Sequence, residues 1–312
     1  MVCVVITTYK PDKRFLKILS GLKHQSIVPD RVLIINTEEA SFTEAFTLDD
    51  VQKEFPGVEV VHIGLNEFDH GGTRNLGASL TKDADHTIFM TQDAVPADGD
   101  LIENLLKPFE DDEIAVSYAR QLPAKDASPA ERYTRNFNYP PEGRIKTKDD
   151  IETSGIKAFF CSDVCAAYDN RKFEKLGGFP DRAIFNEDMV YAKKALMAGY
   201  KICYASDAKV VHSHDYSALQ QFKRNFDIGV SHVMEEETFG GIRSEGEGIK
   251  LVKETAHYLV KSGHILSVPR LFVLSAAKYA GYLFGRRYKR LNKKTIERFT
   301  SNKRFWINNG GF

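Results

Sequence analysis

The feature that most limits the fold is a series of short apolar, β-branched segments separated by stretches of helical period. VCVVITTY (Val2–Tyr9), RVLIINT (Arg31–Thr37), VEVVHIG (58–64), HTIFMTQDA (86–94) and IAVSYARQ (114–121) each read as a strand. Between them, residues 12–23 carry Phe15, Leu16, Leu19 and Leu22 at helical spacing. Residues 49–55, 73–80 and 100–109 read as helices too, the one over 73–80 starting after the Gly71-Gly72 turn. Strands alternating with helices at this spacing predict βαβ units, hence an α/β fold with a mostly parallel sheet flanked by helices. Strands buried on both faces account for the continuous apolar runs. Ligands on such sheets bind beyond the carboxyl ends of the strands, so residues 7–10, 36–39, 66–74 and 92–94 are the ones to inspect.

Past residue 122 the pattern changes. Residues 123–151 are polar and weakly periodic and read as a long loop. Apolar character resumes at 158–168. The loop GGFPDRAIFNED (177–188) delivers two acids to a helix over 189–197 that Gly199 closes. Residues 200–205 and 208–214 read as two strands, and from Tyr216 onward the period is helical. A catalytic domain over 1–230 with a helical, basic, amphipathic extension over 231–312 is the expected organisation.

Charge sharpens that division. Lys and Arg total 43, as do Asp and Glu, so the whole chain gives no bulk signal for nucleic acid, and the basic tail lacks a recognition motif. Yet residues 278–304 hold ten basic residues and one acid, leaving 33 basic against 42 acidic in the first 277, a net of −9. A strongly basic tail on an acidic body points to a partner of its own, unless it is simply a solvated helix. Four cysteines are too few for a disulfide framework, and Cys161 and Cys165 lack a second pair for zinc. No basic-then-apolar leader opens the chain, so a reducing cytoplasm is expected. The longest apolar stretch, 271–284, is broken by Lys278 and falls short of the ~20 residues that span a bilayer.

Four groups of residues carry chemistry. Asp93, in TQD at a strand's carboxyl end, can hold a divalent cation or cap a turn. Glu187 and Asp188 at a helix start either favour the helix dipole or supply a general base. His212 and His214 in HSHD lie two apart, on one face of a strand, and can ligate a metal or contact phosphate; the alternative is one packed and one exposed imidazole. In HGGTRN (70–75), two glycines permit close backbone approach and Arg74 stands in a first helical turn that could face phosphate. Neither a P-loop nor a GxGxxG fingerprint is present.

In this order the motifs resemble family 2 glycosyltransferases of the Rossmann-like GT-A fold, over roughly residues 1–230. The resemblance implies nucleotide contacts from Thr7, Thr8 and Tyr9, from Asn36 where the family usually has Asp, and from Arg74 and Gln92. TQD matches the family's D-x-D motif with only the last acid kept, so Asp93 would be a metal ligand with His212 and His214, His212 fitting slightly better. GGF…ED matches the segment with the catalytic base, implying Asp188 as base and Glu187 in support. The family's later Asp and Arg are replaced here by Val190 and Lys194. FDHGGTRN, TQDA and the ending KYAGYLFGRRY with Trp306 are similar to bacterial rhamnosyltransferases that build surface polysaccharides.

The resemblance implies an inverting, Mg²⁺- or Mn²⁺-dependent transfer from dTDP-L-rhamnose to a hydroxyl of a growing or lipid-linked glycan. The alternatives are a UDP-hexose or UDP-N-acetylhexosamine donor, or a non-catalytic subunit that binds sugar nucleotides. Residues 269–290 combine aromatics and leucines with Lys278, Arg286, Arg287, Lys289 and Arg290. Such a segment can lie peripherally on the inner face of an anionic membrane, or serve as an interface in a homo-oligomer.

Overall fold

The computed structural model describes residues 1–241 and 245–308. Its described strands are β1 (Val2–Tyr9), β2 (Arg31–Thr37), β3 (Glu59–Ile63), β4 (His86–Thr91), β5 (Val95–Pro96), β6 (Ile114–Leu122), β7 (Arg144–Lys146), β8 (Cys165–Asp169) and β9 (Lys201–Val211). They form one sheet in the order β3-β2-β1-β4-β8-β6-β9-β5, with β7 also on β9. β1, β2, β3 and β4 run parallel, and β6 runs parallel to β9. β8 is antiparallel to both β4 and β6, while β5 and β7 pair antiparallel with β9.

Alternation along the strands divides the core between the two faces of the sheet. Val4, Ile6, Val32, Ile34, Ile88 and Met90 share a fully buried cluster with Phe15, Ile18, Leu19 and Leu22 of the helix Arg14–Lys23 and with Leu101, Ile102 and Leu105 of the helix Leu101–Leu106. Val5 and Ile35 point the other way, towards the helix His70–Leu80. That helix comes so close that a Cβ on Gly77 would sit 2.6 Å from Val5 Cγ1. On the same side Phe89 joins Tyr168, Phe173, Phe179 and Tyr191 in a cluster of edge-on and stacked rings. These rings seat the helix Glu187–Met197, which carries the two acids, against the sheet.

By compactness the chain divides into two units. The first comprises Met1–Leu122, Tyr139–Asp181 and Glu187–His212 and contains the whole sheet; the second comprises Pro123–Asn138, Arg182–Asn186 and Ser213–Phe312. The second unit therefore takes two inner segments besides the C-terminal part of the chain. Within it the helices Ala218–Met234 and Val268–Arg286 pack backbone to backbone. A Cβ on Gly281 would lie 2.1 Å from the Phe222 carbonyl oxygen, and one on Gly285 2.1 Å from that of Phe226. Phe226 and Val230 close over Ile184, Ile296, Phe305 and Trp306.

Three expectations from sequence change here. Residues 123–151 are not a continuous loop: they contain the helix Pro129–Asn138, β7 and the start of the helix Asp150–Ser154. The first of these helices carries only a short stripe, Ala130, Tyr133 and Phe137, among charged and polar residues. The two strands expected over 200–214 are one strand, β9. The polar Ser206-Asp207 step is an irregularity in its pairing with β6, where Ala119 faces Ala205 but Arg120 faces Lys209. The helix expected to begin at Thr73 begins at His70, because the Asp69 side chain caps it by accepting from the Gly72 N–H at 2.7 Å.

Candidate active site

The carboxyl ends of β1, β2 and β4 lie side by side. Register pairs Thr7 with Thr91 across β1 and β4, and Thr8 with Asn36 across β1 and β2. The Thr8 hydroxyl donates to Asn36 Oδ1 at 2.9 Å, and Asn36 Nδ2 lies 3.0 Å from His62 Nδ1. Asn36 is fully buried, so its amide ties strand ends together and its oxygen is turned to Thr8. Gln92 extends the β1–β4 pairing with its side chain: Oε1 accepts from the Tyr9 N–H at 2.8 Å and Nε2 donates to the Tyr9 carbonyl at 3.0 Å. The Tyr9 ring is exposed at this rim, with Lys10 Nζ 5.3 Å from its centroid. Gln92 thus acts on this end of the sheet by holding Tyr9 in place.

A cluster of buried charge lies beside it. Arg74 is 4% exposed and Glu187 also 4%. Arg74 Nη1 is 2.9 Å from Glu187 Oε1, and its Nε is 3.2 Å from Asp163 Oδ2. Burial works against the guanidinium charge, but Glu187, Asp163 and Asp188 outweigh it and keep Arg74 protonated. The guanidinium is thereby committed to carboxylates, and the Gly72 N–H next to it is taken by Asp69. The resemblance placed Arg74 on the nucleotide side; the structure shows it bracing the acids.

Asp163 accepts from the Tyr168 hydroxyl at 2.5 Å. Burial pushes Asp163 up to about 7, with Arg74 restraining the rise and Glu187 adding to it. The backbone N–H of Asp163 donates to Asp188 Oδ2 at 3.1 Å, and that of Met189 donates to Asp188 Oδ1 at 2.7 Å. Burial first, then the neighbouring Glu187 and Asp163 carboxylates, raise Asp188 well above the usual carboxylate range; those two N–H groups oppose the rise. A half-buried carboxylate with raised basicity, oriented by two backbone donors, is suited to taking a proton near neutral pH.

Asp93 and His212 meet at the same rim. His212 Nε2 is 3.5 Å from Asp93 Oδ1, and its Nδ1 is 2.9 Å from Gln121 Oε1. A carboxylate oxygen and an imidazole nitrogen at this separation form a donor pair that fits a divalent ion of the Mn²⁺ or Mg²⁺ type, with positions left for substrate oxygens. His214 lies in the second unit, its ring stacked on Tyr216 at 4.9 Å.

Topology explains why Asp93 and Asp188 share a rim although 95 residues separate them. β8 runs back along β4, so the start of β8 lies at the carboxyl end of β4. The Thr91 N–H donates to the Val164 carbonyl at 3.2 Å; Asp93 follows Thr91 by two residues, and Asp163, which holds Asp188, directly precedes Val164. Neither Asp163 nor Gln121 stood out in the sequence. The usable signal was Ser162-Asp163 just before an apolar run that would have to begin at the ligand-binding edge.

Comparison with known proteins agrees with this geometry. The profile of "Glycosyl transferase family 2" matches residues 3–177. The chain is 39% identical over 310 residues to the O-antigen chain rhamnosyltransferase RfbN of Salmonella typhimurium, covering 98% of this chain and 96% of that protein. It is 35% identical over 309 residues to the O-antigen chain rhamnosyltransferase WbaN of Salmonella anatum, covering 98% and 95%. Among solved structures it is similar in fold to the mannosyltransferase PcManGT from Pyrobaculum calidifontis in complex with GDP-Man and Mn²⁺, at TM-score 0.54 and 16% identity, covering 99% of this chain and 85% of that one. It is also similar to S. aureus TarS 1–349, at TM-score 0.50 and 14% identity, covering 93% and 91%. The chain belongs to glycosyltransferase family 2 and is a glycosyltransferase with the GT-A fold.

Proposed function

We propose that this enzyme transfers L-rhamnose from dTDP-L-rhamnose to a hydroxyl of a growing surface polysaccharide or lipid-linked glycan, with inversion at the anomeric carbon. The observation that carries the reading is the convergence of Asp188 and the Asp93–His212 pair on one rim of the sheet. The full-length similarity to two O-antigen rhamnosyltransferases supports the sugar. In this reading Tyr9, held by Gln92, offers its exposed ring to the donor nucleotide alongside Thr7 and Thr8. Asp93 and His212 hold a divalent cation; His214, two residues along the chain and so within about 7 Å Cα to Cα, adds a third ligand. Bound there, the cation neutralises charge on the leaving nucleoside diphosphate.

Asp188 accepts the proton of the acceptor hydroxyl as that oxygen attacks the anomeric carbon. Such help is typically worth ~10²–10⁴-fold. The backbone N–H groups of Asp163 and Met189 orient the base, the Glu187 and Asp163 carboxylates add to the burial that keeps it basic, and Arg74 braces those two acids. A UDP-sugar donor is the second reading, and thermal shift with dTDP against UDP separates the two. The test of the main reading is release of nucleoside diphosphate from dTDP-rhamnose with simple rhamnosides as acceptors. Asp188→Asn should lower turnover by at least ~10²-fold with donor affinity nearly unchanged. Wild-type activity should fall as pH drops through a limb well above the usual carboxylate range. Near-normal turnover by the Asn variant would remove Asp188 as the base.

We also infer that the second unit rests on an anionic lipid surface. No described helix is long and apolar enough to cross a membrane. Leu266 is 92% exposed, and Phe272, Val273 and Tyr279 are each more than half exposed. Exposed Lys261, Arg270, Arg286 and Arg287 flank them, and the helix Val268–Arg286 carries no acid. Charge complementarity and an outward apolar stripe together favour a peripheral lipid contact, which suits a lipid-linked acceptor.

A further inference from the structure

Gln121 lies on β6, 2% exposed, and none of the motifs includes it. Its Nε2 donates to the Tyr139 hydroxyl at 2.6 Å and to Ser162 Oγ at 2.9 Å, which uses both of its amide hydrogens. Its Oε1 therefore faces His212 Nδ1, 2.9 Å away, as an acceptor only. We propose that Gln121 is a positioning residue that fixes the tautomer of His212, holding the ring proton on Nδ1 and turning the Nε2 lone pair towards Asp93.

An imidazole that ligates a metal through one nitrogen commonly donates from the other, and that outer partner fixes both tautomer and ring direction. A buried side-chain amide is well suited to this, because it is neutral over the whole pH range and its carbonyl oxygen cannot donate. With the proton on Nδ1, two acceptors, Nε2 and Asp93 Oδ1, face one another at 3.5 Å. A divalent cation satisfies both. The opposite amide orientation would place the proton on Nε2, aim an N–H at Asp93 and withdraw the nitrogen from ligation. In the structure the Tyr139 and Ser162 hydroxyls both accept from Nε2, which is the first of the two orientations. The backbone holds both in place: the Tyr139 carbonyl accepts from Arg120 Nε at 3.1 Å, and Ser162 immediately precedes Asp163. The inference rests on the reading of Asp93 and His212 as cation ligands.

The experiment uses the full chain labelled with ¹⁵N-histidine, and Mn²⁺ titrated by calorimetry. Long-range proton–nitrogen spectra of the metal-free protein report which ring nitrogen of His212 carries the proton, with His212→Ala identifying its signals among nine histidines. The expected result is the Nδ1–H form in the wild type and a mixture of tautomers in Gln121→Leu. Gln121→Leu should weaken Mn²⁺ binding by roughly 10- to 100-fold, the range usual for loss of an outer partner. Gln121→Glu should restore wild-type affinity, because a carboxylate still accepts from Nδ1–H while the two hydroxyls rotate to donate to it. An Nε2–H form in the wild type, or Gln121→Leu binding within twofold of wild type while His212→Ala loses Mn²⁺, overturns the inference and leaves the ligand reading standing. Wild-type affinity in His212→Ala overturns the ligand reading itself, and the inference with it.

Discussion

Replacing Arg74 with methionine isolates the electrostatics of the acidic cluster. Methionine keeps an unbranched apolar stem of similar reach, so most packing contacts survive. What disappears is the guanidinium 2.9 Å from Glu187 Oε1 and 3.2 Å from Asp163 Oδ2, leaving two buried carboxylates without their cation. Removing one partner of a buried ion pair costs about 3–5 kcal/mol. At roughly 2–4 °C per kcal/mol for a unit of this size, the sheet-containing unit should melt about 6–20 °C lower near pH 8. The pH dependence separates charge from packing. Asp163 already sits up at about 7 with Arg74 beside it, so without Arg74 its folded-state pKa rises further. A carboxyl raised on folding binds its proton more tightly in the native state, so its contribution is present at low pH and lost as pH rises through the folded value. The deficit of Arg74→Met relative to wild type should therefore be largest at pH 8 and should shrink towards pH 5. Urea unfolding of both proteins at the two pH values measures this. A deficit equal at both, or below about 1 kcal/mol at pH 8, would refute the account of Arg74 as a buried counter-charge.

Two further outcomes follow from the second unit. Gly281→Ala places a Cβ 2.1 Å from a backbone oxygen and should lower stability by about 1–3 kcal/mol in chemical denaturation, although alanine is the better helix former by about 1 kcal/mol; equal or higher stability would mean that the helix pair is not held at this spacing. Sedimentation with vesicles containing anionic phospholipid should pellet the full chain and not a chain ending at Val268, with binding falling as salt rises; equal pelleting would exclude the lipid contact.

The sheet was legible because its strands are buried on both faces and leave unbroken apolar runs, as in β1, β2 and β4. The reversal of β8 was not, since a buried strand such as CAAYD carries the same signature in either direction. Asp93, Asp188 and His212 stood out because each follows or begins an element at the ligand-binding edge. Gln121 closes one apolar run and Asp163 stands just before another, and their importance comes from the side chains that the fold brings to them, which the linear sequence does not encode. Arg74 shows the converse: its place in a first helical turn is visible, but only the fold reveals the buried carboxylates that claim it.

Ser162 and Asp163 are neighbours in the chain, yet one supports Gln121 and through it His212, while the other holds Asp188. In the proposed mechanism this single dipeptide is a spacer gauge between the imidazole assigned to the donor's cation and the carboxylate assigned to the acceptor, so small changes at these two positions would retune the gap between those groups.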